Sequence, residues 1–255
     1  MTDPGYIDLT YNGRTGTQEG VLLVRDIRRG VLPPIRTRTQ SLGGHGLHYF
    51  GRWYDELTIE VDVVIAGDSP SALRDSIRKV AAWLNSEVPR QLIFSDEPDK
   101  YYMAVLIGQT AIEQMITDGI VTLSFLCPDP FAYALAPDLV VMTSSPRAHT
   151  QRGTAPADPL LRLQGVSTAA QQLSINVGGQ EITYLGALAS GDWLEIDCAA
   201  KTVIRVSGGT RSSVLASVVK PIFPQISSGD SVITVTPGGG ATWSRLEIHC
   251  RNRWL

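Results

Sequence analysis

Three carboxylates, Asp96, Glu97 and Asp99, stand within four residues of one another in LIFSDEPDKYYMAVL, residues 92–106. Neighbouring carboxylates can divide acid and base work, and a cluster of oxygen ligands suits a hard cation such as Mg²⁺ or Ca²⁺. This segment supplies fewer ligands than such sites require and has no glycine-bearing calcium loop. Pro98, between the acids, presets φ for a turn and lacks the N–H that a strand would need. The acids therefore read as the solvated tip of a hairpin, with neither a catalytic nor a metal role.

Other groups offer similar chemistry. His45 and His48 in GGHGLHYF have H-x-x-H spacing, but no Cys, Asp or third His lies at ligand spacing, and the surrounding glycines imply a loop that would not fix both rings. There is no G-x-S-x-G elbow, no H-E-x-x-H and no Cys in an electropositive motif. TPGGGATW, residues 236–243, lacks the Lys-Ser/Thr of a phosphate loop and reads as a glycine-rich hairpin tip. The terminal HCRNRW places an indole beside Arg, Asn and His, as a sugar-binding face does. Strand alternation, however, puts His249, Arg251 and Arg253 on one side and Cys250, Asn252 and Trp254 on the other. A terminal strand burying Cys250 and Trp254 is the simpler reading. No catalytic residue, metal or cofactor is expected.

The chain that must position these residues has 255 of them, enough for one large or two ordinary domains. Its 43% apolar and 18% charged residues are those of a globular protein, and 24 glycines with 15 prolines imply many turns. A net charge of −3 provides no basic field for nucleic-acid backbone or anionic lipid. Cys127, Cys198 and Cys250 are too far apart for a disulfide framework or a C-x-x-C pair and read as small buried hydrophobes of a reducing cytosol. The leading MTDPGYIDLTYNG has no apolar stretch of a signal peptide, and no apolar run is long enough to span a membrane.

Periodicity makes the fold mainly β. Leu57, Ile59, Val61 and Val63 alternate with Thr58, Glu60 and Asp62, the pattern of a half-buried strand. One amphipathic helix follows, capped by Asp68 or Ser69, with Pro70 in its first turn and Leu73, Ile77, Val80, Ala81 and Leu84 on its apolar face. Residues 35–57 mix glycines, aromatics and arginines without sustained periodicity and read as a long loop or projecting hairpin, a type of segment that commonly meets a partner. Residues 142–159, rich in Ser, Thr, Pro, Ala and Gly, read as a linker. Beyond them the chain is all strands and turns, with Gly178-Gly179 as a hairpin dipeptide, and a small β-sandwich is expected.

The order of these features resembles the amino-terminal domain of siphophage distal tail proteins. That family carries an L-I/F-D-D-x-P-D-x-Y-Y hairpin and, some twenty residues later, F-x-C-x-D-P-F/Y. This sequence has Leu92, Ile93, Phe94, Asp96, Pro98, Asp99, Tyr101 and Tyr102 for the first, and Phe125, Cys127, Asp129, Pro130 and Phe131 for the second; Ser95 stands where an acid is common. RGTAPADPLLRLQG also looks like the family's entry into its carboxy-terminal domain.

The resemblance implies a non-enzymatic virion protein, assembled in the host cytoplasm, that forms a hexameric ring at the distal end of a long non-contractile tail. Residues 1–145 would be the ring-forming domain, a β-sandwich with one helix and a long hairpin, and residues 146–255 a galectin-like β-sandwich. Implied partners are further copies of the chain, the tail tube protein and a hub or fibre protein, together with a host surface glycan as a lesser expectation. Within residues 35–57, Arg36, Arg38, Tyr49, Phe50, Arg52, Trp53 and Tyr54 supply the aromatic and Arg enrichment of interface anchors. The alternative is a carbohydrate-binding adhesion module, which requires Trp193, Trp243 and Trp254 to be exposed.

Overall fold

The computed structural model describes residues 7–108, 112–114 and 118–255. Residues 1–6, on which part of the reading of the leading segment rests, lie outside the described residues. The chain divides into two compact units, residues 1–135 and 136–254. Among the described residues no helix is long and apolar enough to cross a membrane.

The strands of the first unit are β1 (Leu9–Tyr11), β2 (Arg14–Thr15), β3 (Val21–Arg28), β4 (Ile35–Gln40), β5 (His48–Tyr54), β6 (Leu57–Ala66), β7 (Arg90–Phe94), β8 (Lys100–Ile107), β9 (Ile112–Gln114), β10 (Asp118–Cys127) and β11 (Ala132–Ala134). A single-turn helix, α1 (Gly16–Glu19), joins the expected one, α2 (Pro70–Leu84). The main path of the sheet runs β2-β1-β7-β8-β10-β6-β3, with antiparallel neighbours throughout. In β6 the odd residues Leu57 to Ile65 are buried, and three of them face inward residues of β10: Ile59 opposite Phe125, Val61 opposite Leu123 and Val63 opposite Val121. The predicted period-two strand is thus half of the core's central pair.

Helix α2 covers that core. Ser69 is its N-cap, its hydroxyl accepting from the Ala72 N–H at 3.2 Å, and Pro70 opens the first turn where a missing N–H costs nothing. Leu73, Val80, Trp83 and Leu84 are buried, whereas Ala81 is exposed, so the apolar stripe runs through Trp83 instead. The Trp83 indole donates Nε1–H to the Tyr11 carbonyl at 2.9 Å and meets the Tyr11 ring edge on at 6.3 Å.

The second unit comprises β12 (Asp138–Met142), β13 (Arg147–Gln151), β14 (Leu160–Val166), β15 (Gln172–Val177), β16 (Gln180–Leu185), β17 (Trp193–Asp197), β18 (Thr202–Ser207), β19 (Thr210–Ser213), β20 (Val218–Pro221), β21 (Gly229–Gly238), β22 (Thr242–Cys250) and β23 (Arg253–Trp254). One sheet is ordered β12-β22-β14-β17-β18-β19 and the other β13-β21-β15-β16-β20. A single core joins Leu161, Leu163, Leu194, Ile196, Leu246 and Ile248 of the first to Leu173, Ile175, Ile182, Ile233 and Val235 of the second. This is a two-sheet antiparallel sandwich. Its β15–β16 hairpin turns at Gly178 and Gly179, as expected.

Two expectations are corrected here. Residues 142–159 are not a linker. They contain the end of β12 and all of β13, which pairs with β21 from Arg147 opposite Ile233 to Gln151 opposite Gly229. The small residues serve close packing: Ala155 and Ala157 are buried, and a Cβ on Gly153 would lie 2.0 Å from the Arg253 carbonyl oxygen. The terminal strand is also interrupted. β22 ends at Cys250, and the following Asn252 is buried, its Nδ2 donating to Asp138 at 2.7 Å and its Oδ1 accepting from the Arg152 N–H at 3.3 Å. Cys250 is buried as expected, while Trp254 is only half-buried.

Candidate assembly arm and its root

Strands β4 and β5 form a two-stranded sheet of their own, hydrogen-bonded to no other strand among the described residues. The sequence-derived interface residues all lie on it. Cross-strand pairs are Ile35 with Tyr54, Arg36 with Trp53, Thr37 with Arg52, Arg38 with Gly51, Thr39 with Tyr49 and Gln40 with His48, with a bulge at Phe50 where the register shifts. Strand alternation then sorts the side chains. One face carries Arg36, Arg38 and Trp53, and there Phe50 packs against His48 at 4.8 Å and lies under the Arg38 guanidinium at 5.7 Å. The other carries Tyr49, Arg52 and Tyr54, with the Arg52 guanidinium 6.0 Å from the Tyr54 ring.

Among the described residues neither face is covered, apart from Tyr54 at its root. Tyr49, Phe50 and Trp53 are each more than half exposed, and Leu42 and Leu47 at the tip are exposed to 70% and 67%. An isolated two-stranded ribbon is marginal in water without a surface to pack on, and apolar groups clustered this densely on a soluble chain mark an interaction site. The histidines lie at the tip and on β5. Among the described residues no three His, Cys, Asp or Glu side chains gather as a metal-binding group.

The first sequence motif holds the body beneath this ribbon. Leu92 and Phe94 of β7 and Tyr101 of β8 are buried, Tyr102 is half-buried, and residues 95–99 with Pro98 make the turn between the strands. That turn is anchored twice to the chain before β1: the Ser95 N–H donates to the Asp8 carbonyl at 2.9 Å, and the Asp8 N–H to Ser95 Oγ at 2.8 Å. Asp96 and Glu97 are paired with Arg29, a residue that sequence reasoning did not single out. Its Nη2 lies 2.8 Å from both Asp96 oxygens and its Nη1 2.9 Å from Glu97 Oε2. The guanidinium also sits 4.4 Å above the Phe94 ring. Asp99 is more exposed and is 3.6 Å from Lys100 Nζ.

The second motif lies alongside. Cys127 is fully buried, and burial pushes its thiol up to about 12, with Cys198 likewise at about 12 and Cys250 at about 11. Thiols so raised are poor nucleophiles. Pro130 is buried, and Asp129 accepts from the Phe131 N–H at 3.3 Å and from the Tyr133 hydroxyl at 2.5 Å. Tyr133 stacks on Tyr101 at 5.7 Å across the β8–β11 pair, which joins the two motifs. Phe131 meets Tyr54 of the ribbon edge on at 6.0 Å.

In the second unit the tryptophans are not exposed platforms. Trp193 lies under the Arg162 guanidinium at 4.7 Å, Trp243 packs against the core, and both are half-buried, as is Trp254. Arg162 itself bridges Glu195 and Glu247 at 3.0 Å each, and Arg211 and Arg245 pair with the outer oxygens of the same carboxylates.

Comparison with known proteins bears on the fold. Residues 14–127 match the phage tail protein RIFT-related domain. The distal tail protein of Bacillus phage SPP1 is 28% identical over 153 residues, an alignment spanning 57% of this chain and 59% of that relative. The crystal structure of the SPP1 distal tail protein, described as a paradigm of the hub adsorption apparatus in phages infecting Gram-positive bacteria, superposes with a TM-score of 0.79 at 17% identity, covering 98% of this chain and 99% of that one. A chain of the activated phage P2 baseplate with calcium aligns over 97% of both chains, at 8% identity and a TM-score of 0.47.

Proposed function

We propose that this chain, which has the motifs and the whole fold of a siphophage distal tail protein, is a non-enzymatic structural part of the virion at the distal end of a long non-contractile tail. The first unit, whose boundary falls at residue 135 and not at the expected 145, forms a homo-hexameric ring, and the second, a galectin-like sandwich that begins with β12, attaches other baseplate components. The ring joins the tail tube to the baseplate or tail-fibre hub.

The observation that carries this reading is the uncovered β4–β5 ribbon, with Arg and aromatic side chains on both faces. A closed ring needs each subunit to offer two different, complementary surfaces, and a projecting arm that lies on a neighbour is one of them. Aromatic and Arg side chains are the groups that anchor such contacts.

Negative-stain imaging of the purified chain tests the proposal. A sixfold ring with an open centre is expected from the intact chain, and none from a variant lacking residues 42–51. A stable monomer at high concentration would overturn the hub reading. Unaltered rings from the deletion variant would overturn the role of the arm.

A further inference from the structure

We propose that Arg29, held between Asp96 and Glu97, is the clamp that sets the direction in which the β4–β5 arm leaves its domain. The acidic motif would then owe its function to the arm. The clamp stands on geometry alone. Its consequence for assembly rests on the ring reading above.

The position of Arg29 makes it a pivot. It is the first residue after β3, and the arm begins six residues later, at Ile35. The chain bends at Val31 and Leu32, and a Cβ on Gly30 would sit 2.9 Å from the Leu32 carbonyl oxygen. Pro33 and Pro34 then fix φ at the last two residues before the arm, which shortens the free part of the connection to Gly30, Val31 and Leu32. At the other root, the Asp55 N–H donates to the Pro34 carbonyl at 2.8 Å and Arg36 pairs with Asp55. The two roots are therefore tied to each other, and the arm can swing only as one piece.

Side-chain attachments among the described residues oppose that swing. One is Tyr54 against Phe131 of the second motif. Another is Arg29 on the first motif: three oxygens of two carboxylates within 2.9 Å, and the Phe94 ring beneath. A planar guanidinium fork fixed by two acids and an aromatic face has a defined orientation, which a lone exposed ion pair does not have. The receiving turn is itself locked to Asp8 through Ser95. Both sequence motifs thus grip the root of the same arm from a frame that the Tyr101–Tyr133 stack holds together.

The test reads arm direction separately from assembly. Spin labels on Ser41→Cys, at the arm tip, and Glu87→Cys, on the body, report one distance in the full-length chain, with labelled chains diluted into excess unlabelled protein. The buried, raised native thiols stay unlabelled. A single narrow distance is expected in the parent. Asp96→Asn with Glu97→Gln, and separately Arg29→Ala, should lose it to a broad distribution, and Arg29→Lys should fall between. Asp99→Asn, on the same turn but without contact to Arg29, should keep the narrow distance. Distributions as narrow as the parent's in both the Arg29→Ala and the double carboxamide variants, with folding intact by circular dichroism, would overturn the clamp. A broadened arm that still assembles normal rings would support the clamp and overturn the arm's part in the ring.

Discussion

Tyr54, the last residue of β5, meets Phe131 of the PDPF turn edge to face, with ring centroids 6.0 Å apart and planes at 84°. Such pairs contribute about 0.5–1.5 kcal/mol beyond their area burial. Both rings are only half-buried, so the contact matters less for stability than for where the arm stands. Phe131→Ala is expected to lower the first unit's stability by about 1 kcal/mol while reducing the yield of the proposed ring far more. A urea titration alongside sizing of the assembled particles separates the two effects.

Trp83 is the largest fully buried side chain of the first unit. Trp83→Ala should cost about 3–5 kcal/mol, the range for emptying a buried aromatic site. Trp83→Phe keeps most of the volume but leaves the Tyr11 carbonyl without its indole donor, a loss of about 1–2 kcal/mol. Denaturant unfolding followed by far-ultraviolet circular dichroism should show both, with the order Ala worse than Phe. An equal cost would mean that the hydrogen bond outweighs the packing.

In the second unit, Arg162 lies between two carboxylates that are each only about one-tenth exposed. Arg162→Met retains length and removes the charge shared by Glu195 and Glu247, each of which keeps one peripheral arginine. A destabilisation of about 1–3 kcal/mol is expected. Replacing the arginine and both glutamates together by apolar residues should recover much of that loss. The two unfolding midpoints, compared with the parent, decide the matter.

His149 predicts a pH dependence. Burial lowers its pKa, and its Nε2 has no hydrogen-bond partner among the described residues, with Asp138 and Arg147 acting in opposite directions nearby. The folded state thus favours neutral imidazole, and the unfolded chain takes up a proton first. Its contribution is fully present above an unfolded pKa of about 6.5 and declines as pH falls through that value towards the lower folded one. The urea midpoint should fall on acidification, and by less in His149→Gln, which carries no such proton.

Much of the fold was legible where one local rule governed. The alternation of Leu57 to Ile65 was readable because β6 buries a single face, and the start of α2 because Ser69 and Pro70 both act within one turn. The turn character of residues 95–99 followed from Pro98. The partner of the acids did not, because Arg29 lies 67 residues away from Asp96 and an isolated arginine has no periodicity that points to a target. Residues 142–159 misled for a related reason. Small residues that let backbones approach closely have the same composition as a flexible linker, and only the strand that crosses them, at Gly153 and Ala155, tells the two apart.

The uncovered ribbon also bears on the fate of a subunit before it is used. Arg36, Arg38 and Arg52 place three trypsin-type cleavage points on exposed residues of a ribbon that, among the described residues, has no further strand beside it. In the proposed ring those bonds lie against a neighbour. An orphan chain presents them to any protease of the host, so the arm would act as a tag for turnover that disappears once the subunit is in place.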